Sequence, residues 1–182
     1  MGGNPKQLIE WQGQTLIRRT VDAALATDLR PVVVVVGANK QQVAPQLTDL
    51  PVTIIDNQQW EKGMSTSIKM GLAALYLTQK DIEAVVVLLT DQPLVGRGII
   101  EQLMIARRES GKGIAASRYG DQVGVPALFT RGYFEELLNL EGDRGAKGIL
   151  HKYRSDIVEV PFEDGAIDLD SPADREQFLG NF

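Results

Sequence analysis

Apolar residues fall along this chain in two rhythms. Short unbroken runs rich in valine occupy 32–36 and 84–89, without the alternation of a strand that has one wet face. Both are therefore expected as strands covered on both sides. Elsewhere the apolar positions recur at helical spacing: Leu16, Ile17, Val21, Ala24 and Leu25 within 14–26, and Ile68, Gly71, Leu72 and Leu75 after the hydroxyl-rich stretch 65–67. Such spacing lays one apolar stripe of each helix against a sheet. Further helices are expected at 41–50, 99–108, 131–140, 144–153 and 172–179, and further strands at 52–55, 113–117, 123–129 and 157–160, the third broken by Pro126. Alternating strands and helices predict an α/β domain with a mainly parallel sheet and helices on both faces. The run 84–89 is expected at its centre. Open sheets of this kind bind ligands beyond the carboxyl ends of their strands, so Thr90, Asp91, Gln92 and Pro93 mark the expected site.

A length of 182 residues suits one domain. A net charge of -5, with 19 basic and 24 acidic side chains dispersed along the chain, offers no basic stripe for nucleic acid or an anionic membrane. No apolar run approaches a membrane span, and no signal peptide precedes the first structured segment. A cytoplasmic protein with small-molecule partners is expected. With no cysteine and one histidine, His151, thiolate chemistry, Cys-based zinc sites and multi-histidine metal sites are excluded. Any metal should then be a hard cation held by oxygen.

Asp91 is the first candidate for the chemistry, its structural alternative being the cap of a turn. Asp168 and Asp170 are two residues apart, so in an extended segment both carboxylates face one side; the alternative is a cap for the helix that follows. Carboxylates from distant parts of the chain suit one magnesium ion shared with substrate phosphates. Gly2, Gly3 and Lys6 form a loop able to offer backbone amides and a mobile charge to phosphate. Ser65, Thr66 and Ser67 stand at a helix start, as an anion site or as ordinary caps. Residues 142–147 place Arg144 and Lys147 beside Asp143, suited to an anionic second substrate or to solvated helix-end charges.

Six segments, MGGNPKQL, WEKGMSTSIKMGL, LTDQPLV, YGDQVGVPALF, GDRGAK and DLDSPAD, in this order, resemble the nucleotidyltransferases of molybdenum cofactor biosynthesis, and most closely the molybdenum cofactor cytidylyltransferase-like, MobA-like branch. The resemblance implies a Rossmann-like three-layer nucleotide-diphospho-sugar transferase fold over 1–182. It implies transfer of CMP from CTP to the terminal phosphate of molybdopterin with release of pyrophosphate, and a molybdoenzyme as downstream partner. Lys6, Asp91 and Asp170 would be catalytic, with Asp91 and Asp170 holding Mg2+. Gly2, Gly3, Gly63, Met64, Ser65, Ser67, Gln92 and Pro93 would contact the nucleotide, and Gly124, Pro126, Asp143 and Arg144 the pterin side. Guanylyl transfer to the same cofactor, transfer to a sugar phosphate, and a noncatalytic pterin- or nucleotide-binding role are the alternatives. The family opens with a strand and an LAAG-type loop ahead of its MG motif, which this sequence does not show, so an N-terminally incomplete domain is expected.

Overall fold

In the computed structural model the described residues are 5–169 together with 174, 176, 178 and 180. A 3-10 turn, Lys6–Leu8, leads into a hairpin of two short strands, β1 (Glu10–Trp11) and β2 (Gln14–Thr15). Gln12 and Gly13 both have positive φ, 50° and 79°, the geometry of a two-residue hairpin turn. This hairpin was not expected, because strands of two residues are too short to show a period. Helix α1 (Leu16–Leu25) then buries Leu16, Ile17 and Val21 of the expected stripe, with Thr20 beside them, while Ala24 and Leu25 are only partly buried.

Strand β3 (Val33–Val36), helix α2 (Lys40–Val43), strand β4 (Thr53–Asp56) and helix α3 (Met64–Thr78) follow. Pro45 tightens the end of α2 into a 3-10 turn, Ala44–Leu47. After these come β5 (Ala84–Val87), α4 (Arg97–Ser110), β6 (Ile114–Tyr119), β7 (Gln122–Thr130), α5 (Phe134–Leu138), α6 (Lys147–Lys152) and β8 (Ile157–Pro161). The helix expected to start at 144 begins only at Lys147. Of the helix expected at 172–179, the described positions 174, 176 and 178 are helical, as is 180.

The sheet is mixed. β3 pairs with β4 in parallel, and a second sheet runs β5, β7, β6, β8, with β7 antiparallel to both neighbours and β6 parallel to β8. Among the described residues no ladder joins β3 to β5. Helix α3 lies across both sheets: a Cβ on Gly71 would touch Val35 Cγ2 at 3.3 Å, while Ile68, Leu72 and Leu75 pack in one cluster with Val85 and Val87. On the other face α4 brings Ile99, Ile100 and Leu103 against Ala115, Leu128 and Val160. These facing layers are the three-layer arrangement of an α/β domain.

One expectation is corrected. The run 84–89 does meet apolar neighbours on both faces, Val85 and Val87 in one cluster and Ala84, Val86 and Leu88 in the other, but it is not central: β5 stops at Val87 and stands at the edge of its described sheet, its four residues only partly buried. A continuous valine run reports that both faces meet apolar neighbours, and says nothing about whether both backbone edges are paired.

Pro126 shapes the middle of β7. Ala116 faces Ala127, but the next residue, Ser117, faces Gly124, so Val125 and Pro126 bulge out of the ladder. A proline has no N–H for a ladder bond, and a bulge accommodates it. The carbonyls released there find other donors. Ser117 Oγ, fully buried, donates to the Pro126 carbonyl at 2.8 Å, and the Val125 carbonyl is taken by Gln92.

Candidate active site

Val87, the last residue of β5, lies opposite Ala127, so the chain leaving the strand passes beside the bulge at Val125 and Pro126. There Gln92 is 5% exposed and donates from Nε2 to the Val125 carbonyl at 3.0 Å and to the Gly165 carbonyl at 2.9 Å. Two carbonyl acceptors settle the orientation of the amide, since only its nitrogen can donate. Pro93 is buried and Asp91 half-buried. The Asp91 carbonyl accepts the Leu169 amide at 3.1 Å. Leu169 is fully buried while Asp168 is exposed, the alternation of an extended segment with its acid on the outer side. Two stretches chosen from opposite parts of the sequence therefore meet. Asp170 lies outside the described residues, as do Gly2 and Gly3.

The Lys6 turn reaches the same region through a small core. Ile9, three residues after Lys6, packs with Trp11, Leu16, Leu94, Ile167, Leu169 and Phe178. Leu94 belongs to the Asp91 loop and Leu169 to the acidic segment, so one apolar cluster underlies all three. Trp11 packs against Phe178 with the rings tilted by 60° and 4.9 Å between centroids, and the Arg19 guanidinium lies 4.0 Å over the Trp11 ring.

A second group forms around the start of α3. Gly63 has φ 104°, and a Cβ there would sit 2.4 Å from the Gly142 backbone and 2.6 Å from Asp143 Oδ1, so only glycine lets the two loops close. Ser65 N donates to the Gly142 carbonyl at 3.1 Å, and Met64 Sδ rests against Gly145. The hydroxyls are held from within. Asn57, fully buried, donates to Thr66 Oγ1 at 2.8 Å and Ser67 Oγ at 2.9 Å, and its Oδ1 accepts the Gln59 amide. Ser65 itself is 2% exposed. Arg144 is exposed, and Lys147 donates to Gln122 Oε1 at 3.3 Å, bringing this loop to the β6–β7 hairpin.

Tyr119, the first residue of the YGDQVGVPALF segment but not among the expected site residues, packs against both Gly124 and Gly165. Its phenol lies over Gly124, where a Cβ would come within 1.9 Å of the hydroxyl, and its ring edge covers Gly165. Burial, and then the charge of Asp168, pushes its pKa up. Asn57 was missed too; a lone asparagine after a strand carries no sequence signal apart from the hydroxyls nine and ten residues on.

The chain after the Lys6 turn, the Asp91 loop and the 167–169 segment thus share one apolar cluster, which brings Asp91 and Asp168 into neighbouring segments and supplies oxygen donors only. That donor set suits a hard divalent cation; among the described residues no three or more His, Asp or Glu side chains gather as a metal site. The profile of the MobA-like NTP transferase domain matches residues 1–157. The chain belongs to this family. As a member it is a nucleotidyltransferase of α/β architecture. Nicotine blue oxidoreductase of Paenarthrobacter nicotinovorans is 27% identical over 179 residues, covering 94% of this chain and 86% of that protein. The crystal structure of Rv0371C in complex with manganese, from Mycobacterium tuberculosis H37Rv, superposes with a TM-score of 0.82 at 24% identity, covering 98% of this chain and 92% of that one. Molybdopterin-guanine dinucleotide biosynthesis protein A of Archaeoglobus fulgidus gives a TM-score of 0.65 at 18% identity, over 96% of this chain and 89% of that one. Among the described residues no helix is long and apolar enough to cross a membrane.

Proposed function

We propose that this MobA-like transferase moves CMP from CTP to the terminal phosphate of molybdopterin, in the cytoplasm, for hand-over to a molybdoenzyme. The meeting of Asp91 with the acidic segment, through the Leu169 amide on the Asp91 carbonyl, is the observation that carries the reading. The six motifs and the manganese complex on the same fold support it.

In this reaction an oxygen of the acceptor phosphate attacks the α-phosphorus, the bond from that phosphorus to the bridging oxygen breaks, and pyrophosphate leaves. The attacking oxygen is already ionised at neutral pH, so no histidine or cysteine nucleophile is required. What is required is alignment and neutralisation of charge. Asp91 and Asp170 would hold Mg2+, which would supply neutralisation of charge on the α-phosphate and the leaving group. Lys6, with the amides of Gly2 and Gly3, holds the triphosphate. The segment with Gly63, Met64, Ser65 and Ser67, together with Gln92 and Pro93, forms the nucleotide side, and Gly124, Pro126, Asp143 and Arg144 form the pterin side.

Binding of CTP, GTP and ATP, each with and without Mg2+, tests the proposal, followed by pyrophosphate release on adding molybdopterin. Magnesium-dependent preference for CTP with release is expected. Preference for GTP moves the reading to guanylyl transfer, and a sugar phosphate as the better acceptor moves it to that class. Pterin binding without any metal-dependent nucleotide binding would replace it with a carrier role. The similarity to nicotine blue oxidoreductase supports a second reading, an oxidoreductase on this fold. Adding NADH and NADPH to the same titrations separates the two.

A further inference from the structure

Two stretches of chain distant in sequence, the Val125 bulge and the 165–169 segment, are tied to the dipeptide Asp91–Gln92. The Asp91 carbonyl accepts the Leu169 amide at 3.1 Å. From the next residue, Gln92 Nε2 reaches Val125, 33 residues away, at 3.0 Å and Gly165, 73 residues away, at 2.9 Å. The first acceptor exists because the bulge around Pro126 takes the Val125 carbonyl out of the ladder. The second stands at the end of β8's outgoing chain, where the turn Glu163–Ala166 feeds directly into Ile167, Asp168 and Leu169. Gln92 Oε1 is buried and meets no donor among the described residues, so the side chain acts through its two N–H groups.

Glutamine supplies the two N–H donors that this position uses. A buried carbonyl left without a donor is costly, and a carboxylate facing two carbonyls adds repulsion. Methionine fills similar volume but has no donor. The consequence is local. Releasing the Gly165 carbonyl frees the turn that leads into Asp168 and Leu169 beside Asp91, while the one backbone bond from Leu169 remains. Geometry at a cation is sensitive to such supports, and their loss weakens metal affinity by about 10- to 100-fold.

We propose that Gln92 is a positioning residue for the metal-binding carboxylates, holding the 165–169 segment and the Val125 bulge in register with Asp91. This rests on the reading that Asp91 holds a divalent cation. It assigns Gln92 a task beyond nucleotide contact, and ties the Pro126 bulge to the acidic site as the source of its acceptor.

The test is a titration of the full chain with Mn2+, free ion being followed by electron paramagnetic resonance and folding by circular dichroism. Wild type is compared with Gln92→Met, Gln92→Glu, Asp91→Asn, and Leu137→Ala, a core truncation on α5. Expected are loss of binding in Asp91→Asn, a Kd raised at least about tenfold in both Gln92 variants, and a Kd within about twofold of wild type in Leu137→Ala. Gln92→Met keeps the packing and is the variant that stays folded if the charged one does not. A Mn2+ affinity unchanged in folded Gln92→Met, with Asp91→Asn inactive in binding, overturns this inference alone. Wild-type affinity in Asp91→Asn, or no Mn2+ binding by wild type, overturns the metal reading beneath it.

Discussion

Asn57 Nδ2 donates to Thr66 Oγ1 at 2.8 Å from a side chain with no exposed surface. The bond joins the end of β4 to the first turn of α3, and the same nitrogen serves Ser67 while Oδ1 holds the Gln59 amide. Replacing Asn57 by leucine strands Ser67 Oγ and the Gln59 amide, while Thr66 Oγ1 keeps its bonds to the Gly63 and Gln59 carbonyls. We expect Asn57→Leu to lower stability by about 2–4 kcal/mol, read from urea denaturation midpoints at unchanged m-value. A loss under about 0.5 kcal/mol would mean that water replaces the amide at no cost.

Gly63 faces the Gly142 backbone with no room for a methyl group, at a φ that L residues rarely adopt. Gly63→Ala should therefore cost about 1–3 kcal/mol and open the loop pair 63–65 and 142–143. Faster amide hydrogen exchange at Ser65, whose N–H the Gly142 carbonyl accepts, is the local readout. Wild-type protection at Ser65 would show that the loops close without glycine.

Tyr119 and Gly124 form a testable pair, because a Cβ on Gly124 would overlap the phenol oxygen. Gly124→Ala alone should destabilise by about 1–3 kcal/mol through overpacking. In a Tyr119→Ala background the same change should cost much less. Additive losses in this cycle would place the phenol elsewhere in solution.

Stability at high pH should report Tyr133. Burial, and then its bond to Asp156, pushes its pKa up to about 12, while the Tyr133 hydroxyl holds the Asp156 carboxyl below its usual value. A raised tyrosine pKa means that the fold favours the protonated phenol. Its contribution is complete below the ordinary value of 10.0 and is lost as pH climbs through about 12. The Asp156 contribution is present above the ordinary 3.8 and fades as pH falls through its lowered value. Tyr133→Phe should cost about 1 kcal/mol near neutrality, and the difference from wild type should vanish in strong alkali. A gap that persists above pH 12 would remove the hydrogen bond as its cause.

Much of this molecule was legible in the order of its residues. Helix stripes such as Leu16, Ile17 and Val21, strands such as 33–36, and an acid immediately past a valine run follow from periodicity, because local backbone geometry sets which side chains share a face. The same order of motifs carried the family. The sequence by itself thus determined the α/β elements and, with no cysteine and one histidine, the exclusion of thiolate and multi-histidine sites. Only the tertiary structure decided what Asp91 stands beside, and that β5 is an edge of its described sheet with β7 as its neighbour. It alone showed that Gln92 turns inward to carbonyls of Val125 and Gly165, that Tyr119 covers Gly124, and that Asn57 holds the hydroxyls of α3. These are pairings between residues far apart in the chain. Their energy depends on burial and on which donors and acceptors the packed layers leave over, quantities that no local pattern encodes.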